Sequence, residues 1–355
     1  MSWSSYKDAK VLFENFRKFV SENAATALQD FADDFSKKDV VSVVKFLNSP
    51  EGQDPKVRKA LASGVGDGSP GDEVIEVNSN AKPSVGAMVP TQNEISLMKS
   101  IGWPLSTLGS VKSVGTGDIT GRGGKIVSSG ELVIDGHHRW SSTWAVAGKS
   151  AKINAVDIEL PGSSPLNKLA AAQIAIAATI DPNSGKIPSA TAKAVDDEGN
   201  PLASDNILGA GAKTIAKMIL DREGQVVPDT GAPLLGPRYL EDIKLVPAAQ
   251  EYWGLKPDMT PDQVKGAIVS VVAENLSQLP PPQGPERDYM PQFDGGDTHK
   301  GQVSLDAVTK KMQSGDVNYK TKFELKKNYS RINFIIGSCA WNKSRYRSKI
   351  SGGIT

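Results

Sequence analysis

Cysteine is almost absent from this chain. Cys339 is the single copy in 355 residues, so no intramolecular disulfide framework can form and no Cys-x-x-Cys zinc pattern exists. Histidine is nearly as scarce, with three copies and no His-x-x-x-His spacing, which removes the usual helical zinc pair. No apolar run reaches the roughly 20 residues that a membrane-spanning helix requires. The start, Met1-Ser2-Trp3-Ser4-Ser5-Tyr6-Lys7, does not read as a secretory signal, so the expectation is a protein of the reducing cytoplasm, neither secreted nor in the membrane. A large excess of one charge is missing too: the formal net charge is +1, which argues against a wholesale polyanion binder but leaves room for local segregation. What is present is 39% hydrophobic residues, enough for a buried core, over a length that permits one large domain or two to three ordinary ones.

The chain divides by pattern. Residues 1–62 read as a helical segment: Val11, Leu12, Phe16, Phe19 and Val20 recur at helical spacing, as do Leu28, Phe31 and Phe35, and residues 40–47 form a third apolar stretch. Residues 63–73, rich in Gly, Asp and Ser, read as a linker. Residues 74–162 alternate short strand-like runs with helical ones. Residues 163–279 turn helical, with helices expected over 166–180, 207–220 and 261–279, the last opened by Thr260-Pro261-Asp262 in N-capping style. Residues 280–355 begin with Pro280-Pro281-Pro282 and Gly284-Pro285, an extended linker, and end in a basic tail. That tail carries Lys320, Lys322, Lys326, Lys327, Arg331, Lys343, Arg345, Arg347 and Lys349 against the one acid Glu324, interleaved with Phe323, Tyr329, Phe334, Trp341 and Tyr346. Cations mixed with aromatics can follow a phosphate backbone and stack on bases, which makes DNA one candidate partner and a docked protein the other.

Chemistry concentrates at Leu132-Val133-Ile134-Asp135-Gly136-His137-His138-Arg139-Trp140, where two of the three histidines are adjacent. The apolar run is strand-like, Asp135-Gly136 signals a turn, and residues 137–148 can form a helix with Trp140, Trp144 and Ala145 on one stripe. A helix N-terminus at this junction favours an anion such as phosphate, and Arg139 adds a forked donor. Adjacent imidazoles diverge on a helix, so they do not read as a shared metal site; Asp135 as a plain N-cap and the histidines as surface groups is the competing reading. Two other motifs fail. The glycine-rich string ending in Gly124-Lys125 lacks the glycine that a phosphate loop needs at Ile119 and the hydroxyl it needs at Ile126. Ser141, Ser142 and Thr143, as helix neighbours of the histidines, do not face one another as a nucleophilic triad must.

The string Asp135-Gly136-His137-His138-Arg139 resembles the signature of the ParB/sulfiredoxin superfamily, in its phage and archaeal branches, where the archaeal free-serine kinases are the closer likeness. A short strand over 85–89, a helix opened by Pro90-Thr91-Gln92-Asn93-Glu94-Ile95 and running through Lys99, Gly102-Trp103-Pro104-Leu105, a hairpin over 125–134 and a strand over 152–160 extend the likeness across residues 74–162. The resemblance implies an α+β chain with a small mixed-sheet domain flanked by helical N- and C-terminal segments. It also implies that ATP or another nucleoside triphosphate, with Mg²⁺, is held at the turn by Gly136, His137 and Arg139. Asp135 and His138 would be catalytic, with Glu94 as the base upstream of the box, in a phosphotransferase or NTPase. Histidine stands where sulfiredoxins carry their cysteine, so sulfinic acid reduction is not expected. Other members of the superfamily are labelled nucleases, and the strings Pro90 to Ile95 and Asp135 to Trp140 also resemble those of phage proteins. A DNA-binding nuclease, or a non-catalytic virion-associated protein contacting phage structural proteins, is therefore the alternative, with the host cytoplasm or the virion as its place.

Overall fold

The computed structural model of the chain describes residues 40–47, 49–50, 52, 75–113, 124–160, 164–179, 205–285, 289–291 and 305–314. The apolar stripes before residue 40, most of the glycine-rich string at 115–125 and the basic tail lie outside these residues.

Alternation builds the centre. Strands β1 (Val77–Ala81), β2 (Val89–Pro90), β3 (Ile126–Ser129), β4 (Leu132–Asp135) and β5 (Ala155–Ile158) form a mixed sheet in the order β1-β5-β3-β4-β2. β3 and β4 are a hairpin, closed by Gly130 and Glu131 with Gly130 at φ +60°, as a tight two-residue connection demands. β4 pairs with β2 in parallel and β3 with β5 in parallel, while β1 lies antiparallel on β5. Because side chains alternate across a strand, Ile126, Val133 and Ala155 enter one core while Val127, Ile134, Val156 and Ile158 enter another. The sheet is thus covered on both faces and the chain is of the α+β class.

Each face is covered by helices, some between the strands in the chain and others from well beyond them. On one face lie α1 (Val40–Leu47), α5 (Pro165–Thr179) and α10 (Leu305–Gln313), with the fully buried Leu169, Ile174 and Val308. On the other lie α2 (Leu97–Ile101), α3 (Leu108–Ser113), α4 (His137–Ala147), α6 (Ala212–Leu220), α7 (Pro237–Ile243), α8 (Pro247–Trp253) and α9 (Pro261–Ser277). Trp140 and Trp144, one turn apart on α4, meet edge to face at 5.3 Å in that second core. Burying two such rings contributes several kcal/mol, on the order of 2 to 3 each. α9 begins with a complete capping box, Thr260 and Gln263 satisfying each other's backbone N–H groups, with Pro261 at the first helical position. Among the described residues no helix is long and apolar enough to cross a membrane.

The structure departs from the sequence expectation at several boundaries. Val85–Ala87 is a turn of 3-10 helix and only Val89–Pro90 is strand. The helix expected to open at Pro90 starts at Leu97 instead, because Ser96 caps it through Lys99 N, leaving residues 91–95 as an irregular loop. The helix expected from Ile207 starts at Ala212. α7 and α8 were not anticipated: each is seven residues long, too short for periodicity to stand out.

Candidate functional site

The site grows from the end of β4. Gly136 follows the strand at φ +87°, ψ 29°, a left-handed conformation that reverses the chain into α4, and it is Gly136, not Asp135, that occupies the N-cap. A Cβ here would lie 2.7 Å from the Ile126 Cγ2 methyl and 2.9 Å from Arg139 Nη2. On that side the glycine makes room for the protein's own arginine. Arg139 folds back over the turn and donates from Nη2 to Asp135 Oδ2 at 3.2 Å. The Arg139 side chain is 11% exposed and that of Asp135 28%. A cation against the positive end of a helix is electrostatically unfavourable, and Asp135 offsets it.

The two histidines, expected to hold nucleotide (His137) and to act in catalysis (His138), both accept hydrogen bonds from loop 91–96. His137 is buried, and its Nε2 accepts from Thr91 N at 3.1 Å and Gln92 N at 3.2 Å. Protonating that nitrogen would set a donor against two donors, so the geometry requires the neutral ring with its proton on Nδ1. His138 lies half-buried and its Nε2 accepts from Ser96 N at 3.3 Å. Both imidazoles therefore hold loop 91–96 onto the first turn of α4. Thr91 Oγ1 donates to Val133 O on β4, tying the same loop to the sheet.

Loop 91–96 carries Glu94, and three further groups fix it. Asn206 Nδ2 donates to Asn93 O at 3.2 Å and Asn206 Oδ1 accepts from Ile95 N at 3.0 Å. Asp205 Oδ2, buried, accepts from Ser96 Oγ at 3.0 Å and Met98 N at 3.1 Å, with Arg222 Nη2 at 3.8 Å. The proline-rich strap at 280–285 runs along the loop: Gln283 N donates to Pro90 O at 2.9 Å and Asn93 N to Pro285 O at 3.4 Å. Among the described residues two buried side-chain atoms have no hydrogen-bond partner, Glu94 Oε1 and Trp144 Nε1. Below the loop, hydroxyls knit α2 to α4: Ser100 Oγ meets Ser141 Oγ at 2.7 Å, and Ser142 Oγ donates to Ser100 O. These serines are helix-packing groups.

Of the residues singled out in the sequence, Asp135, Gly136 and Arg139 form one cluster, while His137 and His138 join that cluster to the loop bearing Glu94. Thr91, Gln92, Asp205 and Asn206 were not singled out as site residues in the sequence. Their only local signal was polarity beside apolar runs, and their partners lie far away in the chain. Comparison with known protein families, characterised proteins and solved structures gave no match.

Proposed function

We propose that this chain binds the phosphates of a nucleotide, ATP or another nucleoside triphosphate, at the turn from β4 into α4, and that it is a ParB/sulfiredoxin-like phosphotransferase or NTPase. The observation that carries the reading is Arg139 laid across Gly136 at the N-terminus of an eleven-residue helix. A phosphate there would be stabilised by the helix dipole and by a five-donor fork together, and it would relieve the repulsion between the two. Mg²⁺ fits the carboxylates available. Among the described residues no cluster of three or more His, Cys, Asp or Glu groups could hold a metal by itself. Magnesium on a nucleotide, however, asks for one or two carboxylates and takes its remaining ligands from phosphate and water. Asp135 and the orphaned oxygen of Glu94 are the candidates. Bound there, the ion would neutralise phosphate charge during transfer.

The chain's own residues have distinct tasks in this scheme. Arg139 binds and orients phosphate, Asp135 holds the guanidinium in place, and Glu94 accepts a proton from the attacking hydroxyl or water. His137 and His138 keep the loop against the helix and carry no charge while they accept backbone N–H groups. That use of both imidazoles favours one second reading, a nucleotide-binding shell without turnover.

Thermal melting against a nucleotide panel, with and without Mg²⁺, tests the proposal. At about 100-fold excess over Kd a ligand adds roughly 2.7 kcal/mol of stability, equivalent to a rise of about 5 to 10 °C. Arg139→Ala should lose that rise while remaining folded. No rise with any nucleotide would overturn the assignment. Where turnover is found, Asp135→Asn and Glu94→Gln should each lower it by about a hundredfold; binding without turnover in the parent chain would select the second reading.

A further inference from the structure

We propose that Asn206 is a positioning residue acting through Glu94, so that the helical region at 205–279 completes the candidate site; the inference rests on the nucleotide reading above. One side-chain amide spans both neighbours of Glu94. Its Nδ2 donates to Asn93 O and its Oδ1 accepts from Ile95 N, at 3.2 and 3.0 Å, and Ile207 N adds a bond to Ile95 O at 3.0 Å. A planar group that meets an acceptor and a donor two residues apart does for this loop what an adjacent strand does in a sheet: it fixes the backbone of the residue between them. From within the loop, Gln92 Nε2 donates to Glu94 O. The Glu94 main chain is therefore held on both its amide and carbonyl sides.

What this holding achieves is visible at the end of the side chain. Glu94 is half-buried, and its Oε1 atom is buried with no hydrogen-bond partner among the described residues; an unpaired buried acceptor costs free energy, and a freely moving loop would turn that atom to water. The clamp opposes that relaxation. An acceptor held buried and unpaired by its own chain is placed to meet a donor or a cation that arrives with the ligand, either the hydroxyl that receives the phosphoryl group or the metal that accompanies the phosphates. Asp205, the adjacent carboxylate, is committed to Ser96 Oγ and Met98 N and does not duplicate this role.

Two measurements on the full chain test the inference. In the apo protein, hydrogen exchange at the Ile95 amide should rise about tenfold or more in Asn206→Ala, because the lost bonds lower the local opening free energy, while the amides of α4 stay as they were. Unchanged exchange at Ile95 would overturn the clamp. By titration calorimetry with Mg·ATP, Glu94→Gln and Asn206→Ala should each weaken binding about tenfold. The double variant should bind no more weakly than Glu94→Gln alone, since Asn206 acts through that carboxylate. Additive losses would assign Asn206 a purely structural role and overturn the proposal. Asn206→Asp keeps the volume and the acceptor for Ile95 N but sets a carboxylate oxygen against Asn93 O, so it should also speed exchange and weaken binding; it serves in place of the alanine variant if that does not fold. A parent chain that binds no nucleotide would defeat the nucleotide reading, leaving the exchange result to decide the positioning of Glu94 by itself.

Discussion

Loop 91–96 is gripped from two sides that are built differently. The inner grip is a local motif: Gly136 turns the chain, and the next two residues present imidazole acceptors to Thr91, Gln92 and Ser96. The outer grip is assembled from the helical region, with a carboxylate and a carboxamide at 205–206 and the backbone of the strap at 283–285. The inner grip sets where the loop lies relative to the proposed phosphate position, and the outer grip sets the path of its backbone. A candidate site divided in this way is completed only when both parts of the chain have folded together.

The comparison is broken most severely by filling the two glycines on which the grips depend. A Cβ at Gly284 would lie 1.4 Å from Thr91 O, an atom of the main chain that cannot swing aside, so Gly284→Val must lift the strap from the loop. Overpacking of this kind costs about 3 kcal/mol or more, a fall in Tm of roughly 6 to 12 °C. Gly136→Val opposes both the left-handed backbone and Ile126, for about 2 to 4 kcal/mol. Loss of nucleotide binding in that variant would thus be confounded by loss of stability, and Arg139→Ala is the cleaner probe of phosphate. If the loop couples the grips, the double glycine variant will lose less stability than the sum of the singles. Wild-type melting of Gly284→Val would show that the strap does not bear on the loop.

Removing one acceptor from each side sharpens the contrast. His137→Ala leaves Thr91 N and Gln92 N buried without a partner, and Asp205→Ala does the same to Ser96 Oγ and Met98 N. Each orphaned group costs about 1 to 3 kcal/mol, so urea midpoints should fall by similar amounts in the two variants. Only the histidine variant should also release Thr91, seen as faster exchange at residues 91–92. An equal response of those amides to Asp205→Ala would merge the two grips into one.

The same division explains what could be read before the structure. The hairpin, the β4-turn-α4 junction and the start of α9 were legible because each is specified by residues within a few positions of one another: an apolar strand-like run, an Asp-Gly turn, a Thr-Pro-Asp helix opening. Asp135, Gly136 and Arg139 belong to that class, and they do cluster. The duties of His137 and His138 were not legible, since imidazoles that bind phosphate and imidazoles that accept backbone N–H groups have the same spelling. Asp205 and Asn206 precede an apolar helix in the manner of any turn, and their partners on loop 91–96 lie over a hundred residues earlier. Nothing short-range distinguishes a clamp in trans from a loop.

The outer grip extends past the loop, and there pH offers its mildest test. Tyr239 on α7 is buried and donates to Pro104 O at 2.8 Å, while Leu235 N donates to Leu105 O at 2.9 Å, fastening the segment after α2 to the helical region. Burial disfavours the phenolate and raises the Tyr239 pKa well above its ordinary value of 10.0. Below that value both folded and unfolded chains keep the proton, so the contribution of the neutral phenol is fully present. As pH rises past about 10 the unfolded chain releases the proton and the folded chain does not, so stability falls by up to about 1.4 kcal/mol per pH unit until the folded-state pKa is reached. Tyr239→Phe should lose about 1 kcal/mol at pH 7 with the hydrogen bond, yet decline less steeply than the parent between pH 10 and 11, the other tyrosines being common to both. Urea midpoints at pH 7, 9, 10 and 11 provide the comparison. Parallel declines in the two proteins would mean that Tyr239 can reach water without unfolding, and the outer grip would then end at the strap and the 205–206 pair.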